Sequence, residues 1–231
     1  MVNSISDVES FVKSGANALE VDVQFAGSGR ATEMYHGVPC DCFRICTRRT
    51  PFTEYLDYMR AVTGLNGGKL KGKITLLVLD LKTSGINKGN QYKAGVDVGK
   101  KLIGHLWKNV SPNDTLDVLV STTKPKDKDI FRGVLDAIRN DTNSQHWMKR
   151  IGFGFDQFDD QAEVGRAFSQ NGILGHRWLG SGITNCLLHT SRYQLEDIVA
   201  CRDGRKSGCG YVDKGFSWTL DKESSMARDI K

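Results

Sequence analysis

An α/β fold with a largely parallel sheet is what this sequence predicts, and three observations carry it. Strand-like and helix-like segments alternate along nearly the whole chain, as repeated βαβ units do. Residues 74–82 read ITLLVLDLK, the continuous apolar run that a parallel strand buried on both faces needs. The polar members of that run, Asp80 and Lys82, fall at its C-terminal end, where α/β barrels place their chemistry. The 231 residues suffice for a sizeable core and show no linker or composition break, so a single domain over 1–231 is expected. That length suits one α/β barrel, although such barrels typically run to about 250 residues.

The elements follow in order. Residues 6–16 read as a short helix: a serine opens it, Val8, Phe11 and Val12 give an apolar face, and Gly15 stops it. Residues 18–25 read as a strand, because Val21, Val23 and Phe25 alternate with Glu20, Asp22 and Gln24. Residues 52–62 are helical, with Phe52, Leu56, Met59 and Ala61 spaced for one buried face. The loop NGGKLKGK imitates a phosphate loop, but Ile74 stands where Ser or Thr is required and the loop precedes a strand, so that reading is rejected. After the strand at 74–82, residues 90–109 form a long helix with the stripe Tyr92, Val96, Gly99, Ile103 and Leu106. A strand at 116–123, a helix at 128–139, a strand at 150–156 and a helix at 163–171 come next. A Gly-rich strand at 173–183, a helix at 194–201 and a strand at 216–222 complete the chain. About six or seven strands are visible, against the eight of a closed barrel.

Composition excludes several classes. With 26% charged and 39% hydrophobic residues the chain is an ordinary globular sequence. A net charge of +5 favours an anionic membrane surface and gives no argument for nucleic acid. No apolar run approaches the length of about 18 residues that a transmembrane helix needs, and the opening MVNSISDVES lacks the basic and apolar regions of a signal peptide. The six cysteines, with no CxxC or zinc-type spacing, point to disulfides and an oxidising, secreted setting. Asn109, Asn113 and Asn140 head glycosylation sequons, the first disfavoured by the Pro112 that follows it. No Gly-x-Ser-x-Gly elbow is present, which argues against a serine lipase, and no H-E-x-x-H either.

The chemistry concentrates between residues 19 and 46. Glu20 and Asp22 lie two apart on a strand and share a face. Such a pair repels unless a cation sits between its members, and hard oxygen ligands suit Mg²⁺ or Ca²⁺. Asp80 adds a third carboxylate and Lys82 an ammonium at a neighbouring strand end, a set suited to phosphate and metal. Lys82 has two readings, a phosphate contact and an ion-pair partner for Glu20 or Asp22. His36 stands just before Cys40, Cys42 and Cys46 and is a candidate general acid or base; the blander alternatives are a turn histidine and a solvated acidic pair. His176 reads as a structural histidine after a barrel strand, while His105, His146 and His189 read as surface.

LEVDV, YHGVPCDCFRIC, LDLKT, SGITNCL and WTLDK, in that order, resemble the phospholipase D toxins of recluse-type spider venoms, also called sphingomyelinase D or dermonecrotic toxins. The resemblance runs over essentially the whole chain, and the YHGxPCDC block is its most specific part. The wider relative is the glycerophosphodiester phosphodiesterase family, which shares the barrel and the Glu-x-Asp. The resemblance implies a TIM-type (β/α)8 barrel and a secreted, monomeric, haemolytic and dermonecrotic venom enzyme. It implies one Mg²⁺ held by Glu20, Asp22 and Asp80, with Lys82 and Trp218 on the substrate and His36 as catalytic acid. The expected substrates are sphingomyelin-like and lysophospholipids at a membrane surface, cleaved by transesterification to a cyclic phosphate. The resemblance also pairs Cys40 with Cys46 and Cys42 with Cys186, which leaves Cys201 for Cys209 across a Gly/Arg/Lys-rich turn. The toxins carry a strand ending in Gly-His just before their Met-Val-Asn and a further βα unit beyond the position of Lys231. The chain is therefore expected to be truncated at both ends, with the catalytic base upstream of Met1. Phe216 stands where the toxins often carry Tyr, which leaves choline versus ethanolamine preference open, and Phe43 is a candidate for the membrane interface. The alternatives are a glycerophosphodiesterase acting on soluble diesters and a non-catalytic lipid-binding relative.

Overall fold

Six parallel strands form the body of the molecule: β1 (Ala18–Phe25), β6 (Leu76–Leu81), β7 (Asp117–Thr122), β8 (Ile151–Phe155), β9 (Arg177–Gly182) and β10 (Lys214–Trp218). The computed structural model describes residues 1–40, 44–64, 68–111, 114–156, 160–182 and 192–218. Two short antiparallel strands, β2 (Ala31–Met34) and β5 (Thr50–Pro51), extend the sheet beyond β1, giving the order β10-β9-β8-β7-β6-β1-β2-β5. This is a (β/α)8-barrel-like arrangement; among the described residues the sheet keeps two edges and does not close. β2 and β5 escape the sequence reading because four residues and two residues are too few to display an alternation. A separate hairpin pairs β3 (Gly37–Cys40) with β4 (Arg44–Cys46).

Strand alternation divides the sheet into two faces. Val21, Val23, Leu77, Leu79, Leu81, Val118 and Val120 are buried under the helices. Glu20, Asp22, Asp80, Ser121, Gly154 and Trp178 point to the other, inner face, with Asp22 beside Asp80, Asp80 beside Ser121, Ser121 beside Gly154 and Gly154 beside Trp178. The helices are α1 (Ile5–Lys13), α2 (Phe52–Thr63), α3 (Gln91–Lys101), α4 (Asp129–Arg139), α5 (Ser144–Trp147), α6 (Gln161–Gln170) and α7 (Arg192–Arg202). Phe131 packs against Phe153 and Phe155, and Phe155 against Phe168, so α4 and α6 are fastened to β8 through aromatic rings.

The structure corrects several expectations. Phe11 is 44% exposed, and α1 buries only Val8 fully. In α2 the buried face ends on Val62 and Thr63, with Ala61 exposed. The long helix expected over 90–109 is α3 followed by a π-helical turn, Leu102–Leu106, anchored to α2 where Arg60 Nη1 donates to the His105 carbonyl at 2.6 Å. Its buried face is Ala94, Gly95, Val98 and Gly99, while Tyr92 is exposed. The cause is a close crossing with α4: a Cβ on Gly95 would lie 1.9 Å from the Ile130 carbonyl oxygen, and one on Gly133 would lie 2.1 Å from that of Tyr92. Backbones touch where an apolar stripe was expected to pack, so the contact residues are glycines, which a hydrophobicity pattern does not register. β9 starts only at Arg177, because His176 takes a left-handed conformation (φ 55°). His176 therefore precedes a strand, at the end of the sheet opposite the chemistry, and contributes a carbonyl that accepts the Phe153 N–H at 3.0 Å.

Candidate functional site

The register of β1 against β6 sets Asp22 directly beside Asp80, and Glu20 lies two residues back on the same face of β1. One ligand oxygen from each of these three carboxylates falls within 4.8 Å of the others. Asp22 is fully buried. The first residues of the chain run alongside β1, the Val2 N–H donating to the Glu20 carbonyl at 2.7 Å. That path brings Asn3 onto Asp22: its Nδ2 donates to Asp22 Oδ2 at 2.6 Å, and its Oδ1 accepts the Asp22 N–H at 2.8 Å.

Lys82 follows β6, its N–H held by the Val23 carbonyl at 2.9 Å. Its ammonium pairs with Asp22 Oδ1 at 2.9 Å and with Asp80. Burial works against that charge, but Asp80 and Asp22 outweigh burial and raise the lysine pKa. The carboxylates feel the opposite pressure. Burial, reinforced by Asp22, pushes the Glu20 carboxyl up to about 8, and burial raises Asp80 although Lys82 opposes it. Asp80 Oδ1 is buried with no hydrogen-bond partner. Both carboxyls stay raised although Lys82 opposes them and the Met1 ammonium lies 3.2 Å from Glu20 Oε2.

His36 reaches the same end of the sheet on the loop between β2 and β3. The Tyr35 N–H donates to the Asp22 carbonyl at 2.9 Å, and Gln24 Nε2 donates to the Tyr35 carbonyl at 2.6 Å, which ties the loop to β1. Gly37 follows at φ 106°, a turn that a side chain at that position would strain. His36 Nδ1 is buried without a partner, and its charge acts on Asp80. The hairpin beyond is closed by the Cys40–Cys46 disulfide, with Cα atoms 5.9 Å apart. Val38 and Ile45 stand exposed on it, and the Arg49 guanidinium covers the Tyr35 ring at 4.5 Å. Cys201 and Cys209 are joined near the end of α7. Cys42, Cys186, Phe43 and Asn113 lie outside the described residues, and with them the expected Cys42–Cys186 pair. Asn109 and Asn140 are exposed at helix ends.

Across the sheet from the acidic cluster, β9 and β10 supply aromatic walls. Phe216 lies over Gly180, where a Cβ would meet its ring at 2.3 Å. Its ring centroid is 6.3 Å from that of Trp178. Trp218 is half-buried, and its indole Nε1 donates to the Asp156 carbonyl at 3.1 Å.

Asn3 and Asp156 were not anticipated. Asn3 has no local signature, since its role exists only through its contact with β1. Asp156 had one: it continues the inner-face period of Gly152 and Gly154 past the end of β8. Its Oδ1 is buried without a partner, and burial, then the nearby Asp80, push its carboxyl up to about 7. The folded protein thus keeps this proton up to about pH 7, whereas the unfolded chain releases it near ~3.9. Between those values the folded state binds more protons, so stability falls as pH rises. Metal-free protein should therefore lose more of its urea midpoint between pH 5 and pH 8 (roughly the span of that titration) than Asp156→Asn does. Equal losses in the two proteins would remove Asp156 from the titrating set.

The profile of the family described as "Dermonecrotic toxin SPH" matches residues 1–231. The chain is 37% identical over 232 residues to dermonecrotic toxin SPH of Ixodes scapularis, covering all of this chain and 64% of that protein. It is 37% identical over 231 residues to dermonecrotic toxin LiSicTox-betaIA1i of Loxosceles intermedia, covering 75% of that protein. It is 34% identical over 231 residues to dermonecrotic toxin StSicTox-betaIB1i of Sicarius terrosus, covering 82% of that one. The chain thus spans slightly under two thirds of the tick protein and more of the spider proteins. With the profile matched from end to end and identities well above 30% over the entire chain, this protein belongs to the dermonecrotic toxin family.

Proposed function

We propose that this protein is a secreted, Mg²⁺-dependent phospholipase D-type phosphodiesterase that releases the headgroup from sphingomyelin-like and lysophospholipid substrates at a membrane surface. The observation that carries the proposal is the convergence of Glu20, Asp22 and Asp80 with Lys82 at adjacent strand ends. Among the described residues no helix is long and apolar enough to cross a membrane, and the disulfides suit an oxidising exterior.

The donor set fits a hard divalent cation. Three carboxylates offer clustered oxygens, and the buried Asp80 Oδ1 lacks any hydrogen bond, a cost that a ligated ion removes. When bound, Mg²⁺ supplies charge neutralisation for the phosphodiester. Lys82 offers its ammonium to the oxygens of the reacting phosphorus. Trp218, with its indole fixed by the Asp156 carbonyl, walls the headgroup side and excludes water. His36 donates its proton to the departing headgroup oxygen as the P–O bond breaks. The proton of the attacking lipid hydroxyl leaves to a base, whose apparent pKa a pH profile of kcat/KM reads.

The lipid's own hydroxyl, tethered beside the phosphate, is the nucleophile. Tethering reaches effective molarities of about 10⁵ M or more, against roughly 55 M for water. The products are then a cyclic phosphate and a free headgroup alcohol. Phosphorus NMR of the protein turning over lysophospholipid should show the cyclic phosphate first. A linear monoester appearing first, with oxygen-18 from labelled water, would instead support a hydrolytic glycerophosphodiesterase, and the absence of turnover a lipid-binding relative.

A further inference from the structure

We propose that Asn3 is a positioning residue for the divalent cation, holding Asp22 in the one rotamer that presents an oxygen to it; this rests on the metal reading above. The geometry is a closed ring. The Asp22 backbone N–H donates to Asn3 Oδ1 at 2.8 Å, and Asn3 Nδ2 donates to Asp22 Oδ2 at 2.6 Å. The chemistry fixes which end of the amide is which, because a backbone N–H can only donate and a carboxylate can only accept. The side chain of Asn3 is thus committed at both ends to a single residue, and Asn3 itself is only 7% exposed.

The consequence is specific to one oxygen. A carboxylate on a strand has several staggered χ1 positions. Tying Oδ2 to Asn3 selects one of them and leaves Oδ1 directed at the Lys82 ammonium, 2.9 Å away, on the side where Asp80 lies. Oδ1 is therefore the oxygen offered to a cation. The amide does this without adding charge, which matters beside three crowded carboxylates. It also anchors the leading segment to β1, together with the Val2 N–H on the Glu20 carbonyl. Outer partners of this kind orient the ligands that touch the metal, and losing one typically weakens metal affinity by about 10–100-fold.

The test is direct binding of Mn²⁺, the paramagnetic substitute for Mg²⁺, followed by electron paramagnetic resonance on the protein. Asn3→Ala should raise the Mn²⁺ Kd by about tenfold or more while the circular dichroism spectrum stays that of wild type. If Asn3→Ala does not fold, Asn3→Ser carries the same measurement, since a single hydroxyl cannot close the ring. An unchanged Kd in whichever variant folds, even with a lowered Tm, overturns the positioning role and leaves the metal reading standing. Failure of wild-type protein to bind Mn²⁺ overturns both.

Discussion

Asp80→Asn is expected to reduce kcat/KM by about a thousandfold or more while leaving the fold intact. The magnitude follows from what the carboxylate is asked to do. A divalent ion at a phosphodiester supplies several kcal/mol of transition-state stabilisation, and each ~1.4 kcal/mol is a decade in rate. The preserved fold follows from the electrostatics. Asp80 is a partly buried carboxylate whose pKa is raised by burial, and its Oδ1 makes no hydrogen bond. Replacing it by a neutral amide of the same shape removes one of three crowded charges. Lys82 keeps Asp22 as its partner at 2.9 Å. Excess chelator should abolish wild-type turnover and Mg²⁺ should restore it, whereas Asp80→Asn should not respond to Mg²⁺. Full activity in chelator, or in Asp80→Asn, would show that the three carboxylates do not serve a metal.

The second large effect is on stability, at the crossing of α3 and α4. Gly133→Val should lower stability by about 3 kcal/mol or more, toward or beyond the upper end of what overpacking usually costs. A Cβ there would sit 2.1 Å from the Tyr92 carbonyl oxygen and 2.8 Å from the Val96 nitrogen. Both are backbone atoms of a packed helix and cannot rotate away. Removing a helical glycine ordinarily gains up to about 1 kcal/mol, so the sign depends on which effect is larger, and at this contact the clash decides. Gly104 is the control: it is exposed in the π-helical turn with nothing within 4 Å of an added Cβ, so Gly104→Ala should be neutral or mildly stabilising. Urea midpoints of the two variants check the pair. A Gly133→Val protein as stable as wild type would mean that the helices do not cross this closely.

Much of this protein is written in local pattern. The alternation from Glu20 to Phe25 and the apolar run before Asp80 announce two strands and put the acidic residues on definite faces, because side-chain direction along a strand is fixed by the backbone. The block from Tyr35 to Cys46 marks the histidine loop by its crowded cysteines, while the Cys40–Cys46 pairing came from the resemblance and not from composition. What the sequence could not decide is anything created by contact between distant segments. The β1–β6 register, which sets Asp22 against Asp80 rather than one residue off, comes from sheet pairing across more than fifty residues of chain. The Asn3–Asp22 ring exists only because the leading segment lies along β1. The buried face of α3 runs through Gly95 beside the expected Gly99 because α4 approaches to backbone contact, and no periodicity of apolar side chains encodes how close that approach is. His176 moved from one end of the sheet to the other because a left-handed residue delays the start of β9. Local alternation follows from the covalent backbone and is legible in one dimension. Register, close approach and the charge environment of Glu20, Asp80 and Asp156 are properties of pairs of segments, and only the tertiary structure brings those pairs together.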